Sequence, residues 1–120
     1  MNQQDIIDTL NETPNLKQQV LSHFMQAQAE TLELKEQEPN PIALGNRYAP
    51  KIVSNIKFHL NQNPHLNRED LIKAAVLPIL YTLACMVICE EELLEKGVDL
   101  DYCRSYFTTL VEEVEKELKV

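Results

Sequence analysis

Two sets of side chains in this sequence have the types and spacing from which chemistry could be built. The first is a set of thiols, Cys85, Cys89 and Cys103. Side chains four residues apart on a helix lie roughly 40° apart on one face, so Cys85 and Cys89 could present two soft ligands to a metal. A thiol-based metal sensor would need Cys103 as a third ligand and His23, His59 or His65 as a fourth, and no spacing brings a histidine there. A disulfide between Cys85 and Cys89 is disfavoured, because parallel side chains on one helical face do not suit its torsion. Reduced cysteine is also among the residues most often buried. Cys103 falls on the apolar stripe of its own segment, so core packing is the expectation for the thiols.

The second set is carboxylates. Glu90, Glu91, Glu92 and Glu95 close one apolar segment, and Glu112 and Glu115 follow on the next. The E-E-x-x-E pattern at 91–95 resembles part of the magnesium motif of the all-helical nucleoside triphosphate pyrophosphatases. The resemblance covers these few residues. It implies a divalent-metal-dependent phosphohydrolase with Glu91, Glu92, Glu95 and Glu115 as ligands. The family's second half carries an aspartate where this chain has Glu115, and Gly97 interrupts the helix just after the first half. Periodicity sets Glu112 and Glu115 away from Val111 and Val114, whereas magnesium needs convergent carboxylates. A solvated acidic face is therefore the expectation. No Glu-x-x-His pair is present for a di-iron bundle.

Nucleophilic catalysis finds no footing. Ser22, Ser54 and Ser105 lack a recognisable turn motif, and no glycine loop is present to cradle phosphate. No cofactor is implied. The remaining candidates are Asn46, Arg47, Tyr48 and Lys51, in a segment rich in proline. Loops carrying Pro, Asn, Arg and Tyr often serve recognition, so these four are the candidate partner-binding residues.

These side chains must be positioned by helices. The chain has 120 residues, enough for one domain with its own core. Only two glycines, with Leu, Glu, Gln, Lys and Ala abundant, favour helices over a sheet with many tight turns. The expectation is an all-α, single-domain bundle of about five helices over 1–120. They are read at 4–11, 15–36, 49–61, 68–96 and 99–118, with a loop at 37–48. Leu16, Val20, Phe24, Ala27, Thr31 and Leu34 form one stripe of the second helix. Tyr106, Phe107, Leu110, Val111, Val114 and Leu118 do the same in the fifth.

The fourth helix carries the thiols and is expected to be central. Residues 74–89 include no charge. Sixteen helical residues rise ~24 Å, less than the ~30 Å of a hydrocarbon core, and Pro78 lies among them. A membrane span is therefore not expected, and neither is a secretory signal, since the opening "MNQQDIIDTL" has no basic or long apolar region. A helix apolar almost all round must be covered on nearly every side. Four other helices barely suffice, which points to a homodimer or an obligate partner.

Charge is the last guide. The net charge is −8. Residues 1–46 hold seven acids and two bases, residues 47–73 two acids and five bases, and residues 74–120 ten acids and four bases. An acidic surface repels phosphate, so nucleic acid and anionic lipid are poor partners. Without a disulfide framework, a reducing cytoplasm fits best. The expected function is protein–protein binding by a small acidic homodimer. Inhibitors, immunity or antitoxin-like proteins, adaptors and acidic DNA mimics all fit, and a basic protein is the natural partner.

Overall fold

Three of the helices begin where a polar side chain takes the free N–H groups of a first turn. Asn40 accepts from the N–H groups of Ile42 and Ala43 at 3.0 and 3.4 Å. Asn67 accepts from Asp70 at 3.2 Å, and Asp99 from Tyr102 at 3.1 Å. The computed structural model describes residues 3–118. Its helices are α1 (Gln3–Glu12), α2 (Pro14–Gln26), α3 (Gln28–Gln37), α4 (Pro41–Gln62), α5 (Arg68–Ile88), α6 (Glu90–Glu95) and α7 (Leu100–Leu118). No strand occurs among the described residues, and the chain is all-α.

Among the described residues seven helices replace the expected five, and each difference has a local cause. The segment read as a loop at 37–48 is mostly helix, because α4 starts at Pro41. Proline fits the first helical position, where its missing N–H has no intrahelical partner anyway. Pro50 and Pro78 lie inside α4 and α5. Each frees a carbonyl four residues back, at Asn46 and at Ala74. All four of these residues are exposed, so water can satisfy the freed groups.

The segment read as one helix at 15–36 breaks at Ala27. The Ala27 N–H is shared between the carbonyls of His23 and Phe24, at 3.1 and 3.2 Å. Beyond the break α3 has no buried residue, and Leu32 is 57% exposed. The segment read at 68–96 breaks at Cys89 (φ −107°, ψ 27°). In one unbroken helix, Glu90, Glu91 and Glu92 would crowd the negative C-terminal end. The break places them in the first turn of α6, where the helix dipole favours acids.

Gly97 then closes α6 with φ +79°. Its N–H donates to the Leu94 carbonyl at 3.0 Å, and the Val98 N–H to that of Leu93 at 3.1 Å. This is a Schellman cap, completed by the buried Leu93 and Val98 in one cluster.

Packing follows from these elements. α4 and α7 run in the same direction, since Gly45 faces Tyr106 and Thr109, while Lys57 shares a groove with Lys116 and Glu117. A Cβ on Gly45 would stand 2.6 Å from Cγ2 of Thr109, so only glycine permits this approach. The first half of α5 packs Val76, Ile72 and Ile79 with Val53, Ile56, Leu110 and Val114. Its second half meets α1 through Ala84 and Cys85 against Ile6 and Leu10. Met86 joins Phe24, Leu93, Leu100 and Cys103 in a third cluster.

The resulting molecule measures 46 × 37 × 21 Å. With helices ~10 Å across, its thin dimension holds two layers. Its radius of gyration is 15.0 Å, above the roughly 13–14 Å of a rounder chain of this length.

Candidate functional site

The three thiols are placed by two different parts of the core. Cys85 lies among Ile6, Leu10 and Ala84, whereas Cys103 lies among Met86, Leu93 and Leu100. Cys89 is half-buried against the second group. Burial pushes the Cys85 and Cys103 thiols up to about 11, and burial raises Cys89 as well. A protonated thiol is a poor metal ligand and a poor nucleophile. His23, His59 and His65 are all exposed.

The carboxylates do not converge. Glu91, Glu92 and Glu95 are exposed on α6, which packs beside the start of α7 through Leu93 and Leu100. Glu115 stands fifteen residues beyond Leu100, about 22 Å along the same helix. Nearby cations take two of the acids of α6. Glu92 pairs with Lys96 at 3.3 Å and Glu90 with Arg104 at 3.4 Å. The same Arg104 nitrogen donates to the Met86 carbonyl at 3.2 Å, near the C-terminal end of α5. Among the described residues, no three His, Cys, Asp or Glu side chains are grouped to hold a metal ion.

Asn46, Arg47, Tyr48 and Lys51 sit on the first half of α4, not on a loop. Asn46, Arg47 and Lys51 are exposed, and Tyr48 is half-buried against the core. The Lys51 ammonium lies 4.5 Å from the centroid of the Tyr48 ring, a cation–π contact. Asn46 also lines a groove of about 630 Å³ between α4 and α7, with Pro50, Ser54, Lys57, Glu113 and Lys116.

Two features escape sequence reasoning. One is a clasp between α3 and α7. Lys35 pairs with Asp99, and the Tyr102 hydroxyl donates to the Glu38 carbonyl at 2.6 Å. The Lys35 hydrogen bond, then the Tyr102 N–H, hold the Asp99 carboxyl below its ordinary value. The signal present in the sequence was an acid at a helix start; its partner, 64 residues away, leaves no local pattern. The other is a groove of about 240 Å³ between α2 and α5, lined by Leu16, Val20, His23, Pro78, Tyr81 and Thr82.

That groove borders an open flank of α5. Positions 73, 74, 77, 78 and 81 fall on one side of the helix. Lys73, Ala74 and Pro78 are exposed there, and Leu77 and Tyr81 are half-buried. The two layers thus leave an apolar strip beside the groove. The chain matches no protein-family model, no curated protein and no solved structure.

Proposed function

We propose that this chain acts by binding other polypeptides, as a homodimeric cytoplasmic protein of the inhibitor, immunity or adaptor kind. The observation that carries this reading is the coverage of α5. It is the apolar central helix of the bundle, yet only Val76, Ala84, Cys85 and Met86 of its 21 residues are buried. Its first half packs on α4 and α7 and is open on the opposite side. A second polypeptide laid along Leu77, Pro78 and Tyr81 would remove apolar surface from water at about 25 cal/mol per Å².

By length and composition alone, α5 is the one helix among the described residues that could cross a membrane. Its buried residues are spread around its circumference, and it contacts α1, α2, α4, α6 and α7. That pattern supports a core helix. The scattered thiols and carboxylates support no competing enzyme or metal-sensor reading.

Leu77→Glu tests the proposal. The protein drawn from its own cells should appear in native mass spectra with a bound polypeptide. The variant, folded by circular dichroism, should lose that polypeptide at least in part. A bare 13.8 kDa monomer before and after the substitution would overturn the reading.

A further inference from the structure

α4 carries three bases and no acid over Pro41–Gln62. Arg47, Lys51, Ser54 and Phe58 follow at steps of four, three and four. They therefore form one stripe ~16 Å long on its outer side. All four are exposed, and Phe58 is 57% exposed, a large apolar side chain left among bases. Lys57 flanks the stripe in the groove beside α7. Arg47, Lys51 and Lys57 form no ion pair among the described residues, where the pairs are Lys35–Asp99, Lys96–Glu92 and Arg104–Glu90. Lys57 shares its groove with Glu113 and Glu117 of α7, whereas Arg47 and Lys51 on the stripe are left without an acidic partner among the described residues.

The end of α5 and α6 have the opposite character. Four glutamates lie within six residues, beside the exposed Val87 (45%) and Leu94 (55%). Glu91 and Glu95 form no ion pair among the described residues. α6 itself is about 8 Å long, and so covers about half of the α4 stripe. One patch offers bases around an exposed aromatic ring; the other offers acids around exposed aliphatic side chains.

We infer that the basic stripe of α4 docks on the acidic α6 end of a second copy of this chain. The inference rests on the self-association in the reading above and assigns it a contact distinct from the α5 flank. Each copy carries −8, so two copies repel at a distance. At physiological ionic strength that repulsion is screened beyond ~8 Å, while paired charges in contact act inside this range. Nucleic acid and anionic lipid fit the stripe less well. Outside α4 the chain is strongly acidic, and an extended polyanion meets that charge along with the stripe. The two patches differ, so one contact is heterologous; a twofold dimer makes it twice.

Charge reversal tests the contact by sedimentation equilibrium of the full chain. One variant is Arg47→Glu with Lys51→Glu; the other is Glu91→Lys with Glu95→Lys. All four sites are exposed, so both variants should fold, which circular dichroism checks. Wild type should self-associate, with affinity falling about tenfold or more between low and high salt. Each variant alone should associate at least about tenfold more weakly. An equimolar mixture of the two should associate again, because each then offers the charge that the other lacks.

Wild-type association that neither reversal weakens would overturn this contact and leave the α5 flank as the interface. A strictly monomeric wild type would overturn the self-association itself. Binding of an oligodeoxythymidine or of phosphatidylserine vesicles by a monomeric wild type, lost in Arg47→Glu/Lys51→Glu, would assign the stripe to a polyanion and overturn the inference.

Discussion

Burial pushes the thiols of Cys85 and Cys103 up to about 11, chiefly by removing the thiolate from water. For Cys85 a neighbouring Cys89 adds to the rise and Lys17 opposes it. The folded value thus exceeds the roughly 8.5 of a free thiol. Such a group contributes its full stabilisation below about 8.5 and loses it as pH rises toward the folded value. The unfolding free energy from urea titrations should therefore fall between about pH 8.5 and 11, by up to about 1.4 kcal/mol per pH unit for each fully coupled group. Burial also raises Tyr102 and Tyr106, which add to the fall near its upper end. The double variant Cys85→Ala/Cys103→Ala should start less stable and show a shallower decline. An equal slope in both proteins would remove the thiols from the account. The burial of Cys103 was legible in the sequence, since the residue sits on a regular apolar stripe. That of Cys85 was expected only from how often cysteine is buried, because α5 is apolar on every side and its pattern picks no face.

At the scale of elements, the sequence was clearest where one periodic stripe ran between clear ends. α1 and α7 lie within about a residue or two of where the pattern put them, the ordinary scatter of helix ends. It misled where a segment rich in proline read as a loop. Pro41 begins a helix, Pro50 continues one on its wet side, and Gly45 admits α7. These roles depend on which face meets solvent and which meets another helix, and that is settled by tertiary contacts. The candidate residues Asn46, Arg47, Tyr48 and Lys51 were found for their chemistry but assigned to the wrong element. α3 shows the opposite case, a helix present without any buried residue to hold it. Its C-terminal end is tied to α7 by the Lys35–Asp99 pair and by the Tyr102 hydroxyl on the Glu38 carbonyl. Half-exposed ion pairs are weak, so the hydroxyl should be the stronger tie. Tyr102→Phe should cost about 1 kcal/mol globally. Its larger mark should be faster amide exchange confined to residues 28–37, read by hydrogen–deuterium exchange. Exchange that rises evenly over α7 and α4 instead would show that Tyr102 serves the core and not the clasp.

The whole molecule is a slab 21 Å thick, and that shape limits what one chain can cover. Two layers of helix shelter α5 from α4 and α7 on one side and from α1 and α2 over its second half. They leave Leu77, Pro78 and Tyr81 beside open solvent. Net charge alone foretold an acidic object; it did not foretell that Arg47 and Lys51 would share one outer face of α4 without an ion-pair partner among the described residues. Both features should make the folded state more stable when copies meet. A partner that binds only the folded chain adds stability with the logarithm of its concentration, about 2.7 kcal/mol at a hundredfold excess over the dissociation constant. The melting temperature of the wild-type chain should therefore climb by several degrees as concentration rises about a hundredfold. The climb should shrink in high salt if the contact between α4 and α6 supplies it, since screening weakens charge pairs. It should persist in high salt if the apolar flank of α5 supplies it, since apolar burial needs no charge. A melting temperature independent of concentration would mean that the slab stands alone, with its apolar flank open and its bases facing water.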